Sequence, residues 1–168
     1  METTNRSSNT SWTPRSGREE IAGCVWLPRM LDKARRKVES ERVARDVLYP
    51  YIFGGIDPLD NELKAFLRTT DEDVLELVRR EPDNQRVADE LVQRSGRTSE
   101  ECAAWSERFR RKHAVDFAMF DADEGRGAPG LRTTLLRVFY NYIVMPPVYW
   151  LVRRDERQRA NRASARNM

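Results

Sequence analysis

Apolar residues recur at helical spacing behind Pro28, and this pattern predicts the first helix. The apolar face consists of Leu31, Ala34 and Val38. Proline suits the first turn of a helix because its missing N–H needs no partner there. A second i, i+4 pair, Val43 and Val47, is out of phase with the first. The pattern therefore predicts either a bend or a new helix between Val38 and Val43.

Capping signals predict the next two helices. Asp57 stands before Pro58 and an apolar stripe, so we expect it to cap a helix that begins there. Thr70 has an acidic residue, Asp73, three positions later, which is the spacing of a capping box. Each signal precedes a run with helical apolar spacing, and the second run ends at Pro82.

Two more helices follow the same logic. Gly96 ends a short apolar pattern, as expected for a residue just past a helix C-terminus. Thr98 and Glu101 form a second capping-box pattern, and helical spacing continues from there for several turns to Phe120. The glycine- and proline-rich stretch "ADEGRGAPG" then breaks the pattern.

These elements predict an all-α fold, a small irregular helical domain of about five helices with an appended C-terminal aromatic and basic segment. No alternating strand pattern of useful length is present. We expect a disordered N-terminus over residues 1–18, because it is polar and rich in Ser, Thr and Asn. The helical domain is predicted over residues 19–126, and a linker with the aromatic, Arg-rich C-terminal segment over residues 127–168.

Charge is unevenly distributed between the two predicted parts. The net charge of +3 arises from −3 over residues 1–130 and +6 over residues 131–168. The body therefore lacks the basic footprint of a nucleic-acid-binding protein, and a nucleic-acid partner is not expected. Of 30 basic residues 26 are arginine, which we attribute to codon preference rather than to anion recognition. Cys24 and Cys102 are expected to be free, buried thiols of a cytoplasmic protein.

Three blocks of the sequence resemble those of a known family. They are "PRSGREEIAGCVWLPRMLDKARRKV", "GIDPLDNELKAFLRTTDEDVLELV" and "RTSEECAAWSERF", and the acidic "FAMFDADEGR" resembles a fourth. In this order they are similar to the bacterial domain of unknown function numbered 5069, over roughly residues 13–126. The stretch between Val38 and Gly54 departs from the family pattern, and the run after Gly130 has no counterpart in it. The resemblance implies a small, mostly helical bacterial protein and no particular activity.

The block "WLPRMLDKARRK" is the first candidate for a binding site. On a helix Arg29 and Lys33 share a face, and clustered cations near a tryptophan can bind a carboxylate or phosphate. The alternative, which we favour, is a solvated helix face in which Asp32 pairs with Arg36. The ligand-binding hypothesis names Trp26, Arg29, Asp32, Lys33 and Arg36.

Other constellations for chemistry are weak. The acidic stretch around Asp121, Asp123 and Glu124 fails the spacing of an EF-hand loop, so a solvated acidic loop is expected and no metal site is proposed. His113 is expected to be a surface or partly buried helix residue rather than a base. We identify no catalytic residue and no cofactor motif, and an enzyme of unknown type ranks third among the candidate functions.

The C-terminal segment is the second candidate contact site. From Val138 to Val152 no residue is charged, but the run is too short for a membrane-spanning helix and contains Pro146 and Pro147. It either docks on the body, on a second copy or on another protein, or it anchors the chain to an anionic membrane through residues 131–159. The contact residues are Phe139, Tyr140, Tyr142, Tyr149, Trp150, Arg153 and Arg154.

The sequence therefore predicts a binding or protein-interaction module, with a protein partner or a homo-oligomer. A peripheral membrane protein is the alternative. The expected location is cytoplasmic, at the inner membrane if the alternative holds.

Overall fold

The computed structural model describes residues 12–55, 57–127 and 134. It contains one small hairpin followed by helices packed around a single core. The elements are β1 (Glu20–Ile21), β2 (Cys24–Val25), α1 (Leu27–Val43), α2 (Pro58–Leu67), α3 (Asp71–Arg80), α4 (Asn84–Ser95), α5 (Ser99–Lys112) and α6 (Ala114–Asp123). The prediction of an all-α domain is confirmed, with six helices in the described part of the chain where about five were expected.

The hairpin was not predicted, because its strands are too short to show alternation. The two strands pair antiparallel, with Glu20 opposite Val25. Ala22 and Gly23 make the turn at φ 50° and 74°. Ser106 of α5 fastens the hairpin, since its hydroxyl donates to the Gly23 carbonyl at 2.8 Å and accepts from the Val25 N–H at 3.0 Å.

Helix α1 runs without interruption through the position where a bend was expected. Pro28 lies in its first turn, as predicted. The helix ends at Val43 with Ala44 in the left-handed region at φ 50°, and Val47 lies in the following loop. The phase break in the sequence therefore marks the approach of the helix end, and Val43 is 41% exposed.

The predicted caps of α2 to α5 are confirmed. The Asp57 carboxylate accepts from two N–H groups of the first turn of α2. Reciprocal capping boxes begin α3 at Thr70 and α5 at Thr98. Gly96 ends α4 at φ 69°.

The predicted helix beyond Thr98 is divided into two. It breaks at His113, which follows the last residue of α5, Lys112, and directly precedes α6. His113 is partly buried there. Its Nδ1 lies 2.8 Å from Asp116 Oδ2, and its Nε2 lies 3.0 Å from Glu62 Oε2 of α2. These contacts fix the direction of α6.

Both cysteines are free and buried, as expected. Cys24 on β2 and Cys102 on α5 belong to the same core. Burial, and then the neighbouring Cys102 thiol, raise the pKa of Cys24, so this thiol stays protonated.

Residues 12–18 make defined contacts, although they fall within the segment that was expected to be disordered. Ser16 donates to Asp121 of α6 at 2.8 Å, and the Arg18 guanidinium bonds the same carboxylate at 2.7 Å. The segment is held because its side chains pair with residues about a hundred positions away, and local composition does not reveal such pairs. Residues 1–11 of that segment lie outside the described part, so the predicted domain limits stay a prediction.

Candidate functional site

The block "WLPRMLDK" lies at the junction of the hairpin and α1. Trp26 connects the two elements with φ 70°, which turns the indole into the core between α1 and α6. Its ring stacks on Phe117 at 5.6 Å between centroids, with an interplanar angle of 7°. Gly17 passes so close that a Cβ there would lie 2.5 Å from the indole. The side chain on which the predicted site centres is therefore enclosed.

Arg29 is buried, with 2% of its side chain exposed. Its guanidinium forms a two-pronged ion pair with Glu124, which follows α6, and the Nη1–Oε2 distance is 3.0 Å. Nη1 also donates to the Arg15 carbonyl at 3.0 Å. The rings of Trp26, Tyr51 and Phe120 lie 5.1–5.4 Å from its Cζ. A buried guanidinium needs this number of partners to offset its lost hydration.

Lys33, one turn further along α1, is held between two aspartates. Its Nζ lies 2.7 Å from Asp57 Oδ2 and 2.8 Å from Asp60 Oδ1, and it sits over the Trp26 ring at 5.3 Å. Asp60 is fully buried and also accepts from the indole Nε1 at 2.8 Å and from the Gly54 N–H at 3.1 Å. Burial raises the pKa of Asp60, and the charge of Lys33 opposes that shift.

Asp32 pairs with Arg15 and not with Arg36, so the expected local pair is wrong. The Arg15 backbone N–H and guanidinium donate three hydrogen bonds to the Asp32 carboxylate, at 2.8–3.0 Å. Asp32 thereby ties the N-terminal segment to α1 across 17 positions. The pKa of Arg15 is raised by this hydrogen bond.

Arg36 is the most accessible of the five predicted residues, with 26% of its side chain exposed. It pairs with Glu39 one turn on, and its Cζ lies 5.1 Å from the centre of the Trp12 ring. Its Nε is buried and has no hydrogen-bond partner in the described part of the chain.

The structure thus brings Trp26, Arg29 and Lys33 into one buried network and places Asp32 and Arg36 on its flanks. The expectation of a solvated face is wrong for Arg29 and Lys33. Glu124 also departs from the expected solvated acidic loop, since only 4% of its side chain is exposed. Sequence reasoning assigned Asp57 only a capping role and missed the network partners Arg15, Tyr51, Asp60 and Glu124, which lie 14 to 95 positions from their basic partners.

The cations of the network are neutralised by carboxylates of the same chain, and this limits which external groups the network can bind. An external carboxylate or phosphate that bound Arg29 or Lys33 would have to displace Glu124 or Asp60 from a buried ion pair. In its present arrangement the network holds the N-terminal segment, α1, the start of α2 and the end of α6 together. The five-residue ligand-binding hypothesis stays a prediction, with Arg36 the member that an external group reaches most easily.

The described ranges contain no group of three or more His, Cys, Asp or Glu side chains placed to hold a metal ion. Within the same ranges, no helix has the length and apolarity needed to cross a bilayer. The contact residues predicted between Phe139 and Arg154 lie outside the described residues.

A comparison with protein families identifies a match. A family model described as a domain of unknown function (DUF5069) matches residues 11–130. No curated protein and no solved structure matches the chain significantly. The matched range includes the block "WLPRMLDK" and both capping boxes, and it spans well over half of the chain. The chain therefore belongs to the DUF5069 family.

Proposed function

We propose that this chain is a self-associating protein-interaction module of the bacterial cytoplasm. The helical domain is the scaffold, and the C-terminal segment makes the contact with a second copy. The observation that carries the proposal is the run of 15 uncharged residues from Val138 to Val152, with arginines on both sides. An apolar, aromatic run of this length is typical of an association surface.

The aromatic content of the run is large enough for a stable interface. An aromatic side chain buries about 150–250 Å². The five predicted aromatic contact residues, Phe139, Tyr140, Tyr142, Tyr149 and Trp150, would together bury roughly 750–1,250 Å² in each copy. A stable complex needs about 800 Å² from each partner.

The charge distribution supports association between copies. Residues 1–130 carry a net −3 and residues 131–168 a net +6, so the segment of one copy is attracted to the body of another. The buried cations Arg29 and Lys33 are already neutralised by carboxylates of the same chain. Because these paired cations are not available to a partner, they favour a scaffold role for the helical domain.

Sedimentation velocity tests the proposal. The full chain is compared with a full-length variant that carries Phe139→Ser, Tyr142→Ser and Trp150→Ser. We expect the native chain to sediment as a dimer at micromolar concentration and the triple variant as a monomer, with equal helix content by circular dichroism. A native chain that stays monomeric up to about 100 μM would contradict the proposal, because its dimer dissociation constant would then exceed that concentration.

Co-sedimentation with anionic liposomes tests the main alternative, a peripheral membrane protein anchored through residues 131–159. Tyrosine, tryptophan and arginine are also the residues of membrane interfaces, so composition alone permits both functions. Self-association predicts no liposome binding. Salt-sensitive binding that the triple variant loses would favour the membrane function instead.

A further inference from the structure

An exposed cluster of aromatic and arginine side chains borders the buried network. The rings of Trp12 and Tyr51 pack edge to face, with 5.4 Å between their centroids. The Arg36 guanidinium lies over the Trp12 ring. All three side chains are partly exposed. Arg29 packs beneath, with its Cζ 5.4 Å from the centre of the Tyr51 ring.

Tyr49 lies two residues before Tyr51 in the chain and is 74% exposed. It lies in the turn that the Tyr51 N–H closes by donating to the Leu48 carbonyl at 3.0 Å. The Asp46 carboxylate accepts from the Leu48 and Tyr49 N–H groups at 3.0 and 3.1 Å, and Leu48 is buried. The loop thus presents Tyr49 from a fixed backbone. We call Trp12, Arg36, Tyr49 and Tyr51 the aromatic edge.

The end of the described helical domain lies beside this edge. The Arg126 guanidinium donates to the Pro14 carbonyl, and Arg29 donates to the neighbouring Arg15 carbonyl. Gly127 therefore directly follows a residue that contacts the N-terminal segment at Pro14, two positions from Trp12. The uncharged run begins 11 residues later, a distance of at most about 36–40 Å for an extended chain.

We propose that the aromatic edge of one copy receives the uncharged run, residues 138–152, of a second copy. This inference rests on the self-association proposed above and names the surface on the partner. Tryptophan, tyrosine and arginine are the residues that dominate binding energy at protein interfaces, and the edge consists of these three types. In a reciprocal exchange the run of each copy meets the edge of the other, so both surfaces are used and a closed two-fold dimer results.

The first test compares two full-length variants that lose accessible side chains at different places on the domain. The edge variant carries Arg36→Gln and Tyr49→Ser. The control is Val115→Ser, which removes another exposed apolar side chain, 51% exposed, at the opposite end of α6 from Arg126. We expect the dimer dissociation constant to rise about tenfold or more in the edge variant, as for interface residues of this type, and to stay unchanged in the control. Equal dissociation constants in the two variants would overturn the inference.

Mixing the edge variant with the triple variant of the run is the second test. A mixed dimer retains one intact contact, because the run of the first variant meets the edge of the second, whereas either variant paired with itself has none. Native mass spectrometry of the mixture is expected to show a mixed dimer in excess of both homodimers. A mixture without that excess would show that the run does not dock on the edge of another copy.

The outcomes separate this inference from the proposed function. If the native chain dimerises and the triple variant does not, but the edge variant dimerises normally, the function stands and the edge is the wrong surface. If the native chain is monomeric, the proposed self-association fails and the inference fails with it.

Discussion

Lys33 pairs with two aspartates of the buried network, and our first prediction concerns its replacement. Replacing Lys33 with Met leaves Asp60 buried without its cation, which typically costs about 3–5 kcal/mol. Urea denaturation followed by circular dichroism measures this loss in the free energy of unfolding. Lys37→Met is the control, because Lys37 is exposed on the same helix and its loss should change stability by less than about 0.5 kcal/mol. Equal losses in both variants would contradict the role given to Lys33.

Gly17 gives a second prediction at this scale. A Cβ at this position would lie 2.5 Å from the Trp26 ring, so Gly17→Ala has to displace a buried indole. Overpacking of this kind costs about 1–3 kcal/mol of stability. Gly127→Ala is the matched control, since a Cβ there meets nothing within 4 Å. A melting temperature that falls equally in both variants would argue against the close approach of Gly17 and Trp26.

The sequence identified the block around Arg29 and Lys33 but not the environment of its side chains. Position along α1 shows which residues share a face, whereas burial of a cation depends on carboxylates that arrive from other elements. Those carboxylates lie 24, 27 and 95 positions away. The rarity of lysine, which we attributed to codon preference, gave no warning of this: only 4 of the 30 basic residues are lysine, and two of them, Lys33 and Lys64, are buried against aspartates.

At the scale of helices, the capping boxes predict how stability changes with pH. Hydrogen bonds from Thr70 lower the pKa of Asp73, and those from Thr98 lower that of Glu101. A carboxylate with a lowered pKa in the folded state adds stability at neutral pH. That contribution begins to fall near the ordinary pKa of about 4 and is lost as the pH falls through the lowered pKa of the folded state. We therefore expect acidification from pH 7 to about 3.5 to destabilise the native chain more than a variant with Asp73→Asn and Glu101→Gln.

Urea midpoints at the two pH values give the comparison. The difference between the midpoints should be smaller in the double variant than in the native chain. If the two differences are the same, the caps do not contribute to the acid sensitivity of the fold.

Helix starts were predictable because a cap and its partner lie three residues apart. The break at His113 was not, because it depends on Glu62 of α2 as well as on the neighbouring Asp116. The hairpin was missed for a related reason, since its two-residue strands are held by Ser106 of α5 and not by a pattern of their own. Local signals thus predicted where most helices begin, and distant contacts determined where α5 ends and how β2 is placed.

At the scale of the whole molecule, the domain joins a self-neutralised interior to a basic, aromatic C-terminal segment. The interior explains the stability of the scaffold and offers no unpaired charge at Arg29 or Lys33. The segment carries the excess positive charge and the uncharged run. We therefore infer that specificity for a partner lies in the segment and in the aromatic edge that it meets.

Hydrogen exchange of the backbone amides in residues 138–152, measured in the full chain at high and low concentration, tests this account most directly. Contact with a second copy predicts slow exchange at concentrations where the chain is dimeric and fast exchange after dilution below the dissociation constant. Fast exchange at every concentration, or slowing only when anionic vesicles are added, would contradict it.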